Sequence, residues 1–239
     1  MHQQDKGLKR LSANPQNTAG ILLALAGSVA FIGMMISEAL YEGYSLSSNF
    51  ISDLGARCVW DFPKPFPDIE TECFIPPTPA AAFFFNSVIF ISGLLVVMGT
   101  YSLHTAIKNG KTSGLRLQPA YKGKILIRFM ALSGIGVVGT GLFPESAGVI
   151  HIIFAAVIGF TFGNLAAITS ASLVGRPLNF FSATLGVIGL AAAVLGFSGN
   201  HLGIGIGGME RMILYPILLW AIVFGGYLIT PQADSKKAK

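Results

Sequence analysis

Six apolar stretches, each about twenty residues long, run through this chain with polar, proline-bearing or glycine-bearing segments between them. That pattern constrains the fold more than any motif does. An α-helix rises 1.5 Å per residue, so the residues from Ala19 to Leu40 cover roughly 33 Å, against a hydrocarbon core of about 30 Å. The composition agrees: 52% of the residues are hydrophobic and 11% are charged, where a soluble domain carries about 25% charged residues. The mean hydropathy is +0.65. These observations predict an all-α protein, a polytopic six-helix transmembrane bundle with one long extracytoplasmic loop. They leave no length for a large soluble domain. A cleaved signal peptide is the rival reading of the first run. Its apolar region would be about 7–15 residues, and the run Gly20 to Ile36 is longer.

The expected order is a basic tail over 1–18, then helices at about 19–40, 80–107, 124–143, 147–174, 178–199 and 209–230, and a second basic tail over 231–239. The Asn14-Pro15 pair argues against a helix running through the first tail. Residues 41–79 form the long loop, whose six prolines (Pro63, Pro65, Pro67, Pro76, Pro77, Pro79) discourage regular structure. Phe50, Ile51 and Leu54 have helical spacing and Gly55 can end the turn, which predicts a short interfacial helix there. Gly175-Arg176-Pro177 and the glycine-rich GNHLGIGIGG read as loops, and Pro216 interrupts the last helix by removing a donor. Gly134, Gly136, Gly139 and Gly141 mark the third helix for close packing.

Charge sets the expected orientation. An even number of helices puts both termini on one side. That side collects Lys6, Lys9, Arg10, Lys108, Lys111, Arg116, Lys122, Lys124, Arg128, Arg176, Lys236, Lys237 and Lys239, thirteen of the sixteen basic residues. Arg57, Lys64 and Arg211 fall on the other. Short positive loops stay in the cytoplasm, so the chain is expected in the cell membrane, multi-pass, with cytoplasmic termini. The net charge of +5 does not point to nucleic acid, because the basic residues sit at helix ends and form no continuous stripe. Cys58 and Cys73 share the outer loop, on an oxidising side, and a disulfide between them is expected.

Polar residues gather at the outer ends of the helices: Glu38 and Glu42 with Tyr44 to Asp53, Glu145 with His151, Asn200 with His201, and Glu210 with Arg211. Ionisable groups within a membrane are paired or functional. The candidate polar site is therefore Tyr44, Ser45, Asn49, Ser52, Asp53, Glu145, His151, His201, Glu210 and Arg211. Asp53 has the chemistry of a general base or ligand, or of a turn residue. His151 and His201 lack any HxxxH or HExxH spacing, so no metal site is expected. Gly203, Gly205 and Gly208 match GxGxxG in form only, since no strand precedes them. An open helix N-terminus beside Arg211 is the better reading, and such a terminus attracts anions. Asn86, Asn164 and His104 read as structural, the asparagines through interhelical hydrogen bonds.

The stretches YSLSSNFISDLG, GLFPESAGVIH and GGMERMILYPILLW together resemble the domain-of-unknown-function family 998, small prokaryotic integral membrane proteins, many of them archaeal. The resemblance spans Ala19 to Thr230. By position it singles out Tyr44, Ser45, Asn49, Ser52, Asp53, Leu54 and Gly55, then His151, then Glu210 and Arg211. It implies no reaction. The cysteine pair and the proline-rich loop stand apart from the family pattern.

Three functional readings follow. The first is a non-enzymatic protein that binds membrane lipid or a small amphiphile on its outer face, or serves as an accessory subunit or homo-oligomer, with no cofactor. The second is an intramembrane hydrolase or transferase using Asp53, His151 and Glu210, with serine, carboxylate and histidine for acid–base work or a zinc-bound water. The third is a b-type cytochrome with His151 and His201 on haem, or a transporter.

Overall fold

The structure, a computed structural model, describes residues 14–56 and 78–229. Cys58 and Cys73, and with them the expected disulfide, lie outside the described residues. Among the described residues there is no strand, and six helices are long and apolar enough to cross a membrane. They are α1 (Pro15–Leu40), α2 (Pro79–Lys108), α3 (Tyr121–Leu142), α4 (Val149–Ala171), α5 (Leu178–Phe197) and α6 (Gly205–Ile229). Each packs against the next in sequence, and α6 returns to α1, so the bundle is a closed ring. One end carries Lys108, Lys111, Arg116, Lys122, Lys124 and Arg176 and is the basic end. The acidic end carries Glu38, Glu42, Asp53, Glu145 and Glu210.

The first helix starts earlier than the sequence reading placed it. Asn14 is its N-cap: the side-chain oxygen accepts from the Gln16 N–H at 3.0 Å, and Pro15 takes the first position, where no N–H is needed. The Asn-Pro pair is thus a start, not a barrier. Thr78 and Pro79 repeat the device at α2, with the threonine hydroxyl accepting from Ala81 N–H at 3.3 Å. Gln16 is buried against α6 and the basic-end loop. Its amide donates to the carbonyls of Leu228 (3.0 Å) and Ser113 (3.1 Å).

The third helix packs closely on both sides, and its glycines divide the work. A Cβ on Gly134 or Gly141 would meet α2 at Val97 or Phe90, and one on Gly136 or Gly139 would meet α4 at Gly159 or Phe154. Close backbone approach is how membrane helices gain packing where lipid gives no hydrophobic drive. Within α4, Ile153–Phe160 is wound as a π-helix. The Phe154 ring of that segment lies over Gly139 and stacks on Phe143 at 5.4 Å.

Two apolar clusters fill the ring. One, nearer the basic end, gathers Leu23, Leu103, Leu126, Met130, Leu173, Trp220, Phe224 and Leu228. The Trp220 indole there donates to the Ser170 hydroxyl at 2.9 Å. The other, nearer the acidic end, joins Met34, Tyr41, Phe85, Ile89 and Leu218 to Ile51 and Leu54. The last two come from the segment after α1. The expected interfacial helix is a single 3-10 turn, Ser52–Gly55, and its apolar side chains plug the bundle. Asn164 makes the expected interhelical bond, donating to the Ile213 carbonyl at 3.4 Å, whereas Asn86 donates at 2.9 Å to the Gly55 carbonyl of the 3-10 turn.

Candidate polar site at the acidic end

The segment from Tyr44 to Ala56 folds on itself before it meets the bundle. Ser45 N–H donates to Asn49 Oδ1 at 3.0 Å, and Asn49 Nδ2 donates to Asp53 Oδ2 at 2.9 Å. The same carboxylate oxygen accepts from Phe50 N–H at 2.9 Å. Asp53 is therefore the hub of a turn, which is a use its position next to Ser52 and Asn49 allows. The Tyr44 hydroxyl donates to the Phe50 carbonyl at 2.8 Å and closes the outer edge. Ser45 and Ser47 share a hydrogen bond of 3.2 Å between their hydroxyls.

Helix α6 holds this segment down with two adjacent residues. The Glu210 carboxylate accepts from Ile51 N–H. Arg211 reaches further. Its Nη1 donates to the carbonyls of Leu46 (3.0 Å), Gly207 (3.0 Å) and Asn49 (3.4 Å). Its Nη2 donates to Glu38 Oε1 at 2.6 Å and to the Tyr44 hydroxyl at 2.8 Å. The Glu38 and Arg211 side chains are only 17% and 9% exposed. A buried ion pair carries a desolvation penalty that good geometry and further hydrogen bonds must offset. A planar guanidinium with several donors can supply both.

The glycines at the head of α6 correct the sequence reading. Gly205, Gly207 and Gly208 belong to the helix, and Gly205 has a φ of +79°. A Cβ on Gly205 would collide with the Ser47 carbonyl, and one on Gly207 with that of Asn49. Gly207 N–H donates to the Ser47 carbonyl at 3.0 Å. The first turn of α6 is thus covered by the chain itself rather than open to an anion, and both Nη atoms of Arg211 hold internal partners.

Glu145 enters from the turn between α3 and α4, a 3-10 turn Glu145–Ala147 that follows Pro144. That turn packs against the Ser52–Gly55 turn, which carries Asp53. Burial pushes Glu145 well above the usual carboxylate range, and the charge of Asp53, a hydrogen bond with Asp53 and the charge of Glu210 push the same way. Burial likewise raises the Tyr41 and Tyr44 phenols. Asp53 and Glu145 add to the shift at Tyr41, whereas Arg211 opposes it at Tyr44. Four acids, Glu38, Asp53, Glu145 and Glu210, thus surround one base.

The two histidines stand apart from this network. His151 is buried, with Nδ1 2.7 Å from the Phe143 carbonyl, to which it donates. That bond pins the start of α4 to the end of α3. His201 lies in the turn before α6, half-exposed, and no hydrogen bond among the described residues ties its ring to the cluster. Among the described residues no group of three or more His, Cys, Asp and Glu side chains is placed to hold a metal ion. The structure thus unites Tyr44, Ser45, Asn49, Ser52, Asp53, Glu145, Glu210 and Arg211. Glu38 and Tyr41 complete the site. Glu38 had a signal in sequence, as an acid near the end of an apolar run, and Tyr41 had none. The carbonyls that meet Arg211 had no signal either.

Fold and site together define a polytopic six-helix membrane protein with a buried, acid-rich polar cluster at one end. The chain belongs to the family described as "Protein of unknown function (DUF998)", whose model matches residues 24–227. Comparison with curated proteins and with solved structures returns no match for this chain.

Proposed function

We propose that this protein is non-enzymatic and binds the headgroup region of a membrane lipid or small amphiphile at its acidic end, which faces the outside of the cell. The orientation rests on the positive-inside rule, with the basic end cytoplasmic. One observation carries the ligand class. Leu46, Leu202 and Ile204 are exposed at 56%, 63% and 41%. They sit on two segments that are joined by the Gly207–Ser47 hydrogen bond, beside the exposed hydroxyls of Ser47 and Ser48. An apolar edge next to exposed hydroxyls at the membrane surface suits an amphiphile, whose chain and headgroup need both.

The bonding of the polar residues supports a binding role over a catalytic one. Ser45 is tied to Ser47 and to the Ser48 N–H, Asp53 holds two donors of its own turn, and His151 is bonded to backbone. No described serine is hydrogen-bonded to a histidine, the pairing that activates a nucleophile. Native mass spectrometry of the protein extracted from its own membrane tests the proposal. The expected result is a retained lipid or amphiphile that is lost when Leu46→Ser and Leu202→Ser are combined. Protein free of any bound amphiphile, or retention unchanged by the double substitution, would overturn it.

A further inference from the structure

The acidic end leaves two oxygens without a donor. Asp53 Oδ1 and Glu145 Oε2 are buried, and no N–H or O–H of the described chain reaches either. Asp53 as a whole is 2% exposed. Buried acceptors without partners are uncommon and costly. The turns that carry the two carboxyl groups are packed against each other, and two carboxylates side by side offer only acceptors. One proton held between them would give both groups a partner and remove a like-charge repulsion, as in other close carboxyl pairs.

We propose that Asp53 and Glu145 share a single proton, and that this proton is a pH-sensitive latch between the turn after α1 and the turn between α3 and α4. The two turns are in contact. The Asp53 turn also rests on α1 and α2, so releasing it would loosen the plug formed by Ile51 and Leu54. Among the described residues the groups facing the pair are few. From α6 come Glu210, bonded to Ile51 N–H, and Arg211, held by Glu38 and Tyr44. From the end of α1 comes Tyr41, whose phenol senses both acids. The outer part of α2, Pro79 to Phe90, carries no titratable side chain. Among the described residues no cation is bonded to either oxygen: both Nη atoms of Arg211 are taken by Glu38, Tyr44 and three carbonyls, and its buried Nε has no partner.

The sign of the effect follows from linkage. Glu145 holds its proton more tightly folded than unfolded, from an ordinary value of 4.5. The latch is fully present below that value and is lost as pH rises through the raised one. The proposal concerns the interior of this end and stands whether or not an amphiphile binds its surface.

The test is thermal unfolding in nanodiscs from about pH 4.5 to about pH 9 for wild type, Glu145→Gln and Asp53→Asn. A glutamine or asparagine amide donates without needing a proton. The wild-type midpoint should fall by roughly 5 °C across that range, and most of the fall should vanish in either variant. Infrared spectra of the unmodified protein give a second readout that needs no variant to fold. A carboxylic-acid carbonyl band should persist at neutral pH and disappear on alkalinisation. A wild-type profile parallel to that of Glu145→Gln, or no protonated carboxyl at neutral pH, would overturn the latch.

Discussion

Replacing Arg211 with methionine removes the guanidinium that pairs with Glu38 and keeps most of the side-chain volume. Five acceptors then lose a donor: Glu38 Oε1, the Tyr44 hydroxyl oxygen, and the carbonyls of Leu46, Asn49 and Gly207. Glu38 is the costly one, because its side chain is 17% exposed and would keep a charge with no partner. Breaking a buried pair from one side costs about 3–5 kcal/mol. The carbonyls add less, since each loses one bond and several can reach water once the loop lifts. For a domain of this size the unfolding midpoint should drop by roughly 10 °C. Glu38→Gln alone should cost less, because a neutral amide tolerates burial better, and the double variant should show a coupling of about 0.5–3 kcal/mol. Arg211→Lys should recover only part of the loss, since an ammonium has three donors and no planar fork. Thermal unfolding in detergent or nanodiscs, with a double-mutant cycle, measures all of this. If Arg211→Met melts within about 1 °C of wild type, the guanidinium does not hold the loop and the reasoning fails.

Gly207→Ala should destabilise by about 1–3 kcal/mol, because the added methyl would strike the Asn49 carbonyl. The same substitution at Gly226, where the added Cβ would meet no heavy atom within 4 Å, should be close to neutral, and paired unfolding curves check both. Ser170→Ala strands the buried Trp220 N–H, whose 2.9 Å bond it removes, and should cost about 1–3 kcal/mol. Combining it with Trp220→Phe should recover part of that loss, as measured by the same unfolding assay, because the orphaned donor is then gone.

The helices were readable because a bilayer demands long apolar runs and leaves no other solution for the backbone. Charge alternation is readable for a similar reason, and it alone gathers Tyr44 to Asp53, Glu145, Glu210 and Arg211 at one end. The pairing inside that end was not. Arg211 finds Glu38 173 positions away and three backbone carbonyls besides, and a carbonyl acceptor has no side-chain signature. Asn14-Pro15 misled because the same dipeptide that blocks a helix passing through also starts one. Gly205 and Gly207 misled because glycine serves an open loop and a tight helix–loop contact alike. The π-helical stretch of α4 has no sequence mark, and the Phe154 ring within it lies over Gly139.

Residues 50–56 form a fixed plug, seated through Glu210 and Arg211, and not a free loop. Amide hydrogen exchange in nanodiscs addresses it residue by residue. The N–H groups of Phe50, Ile51, Leu54 and Ala56 all have partners, in Asp53, Glu210, and the carbonyls of Ile51 and Asp53. They should exchange as slowly as the first turns of α6. Exchange at the rate of the exposed turn around Gly43, with α6 still protected, would contradict the account.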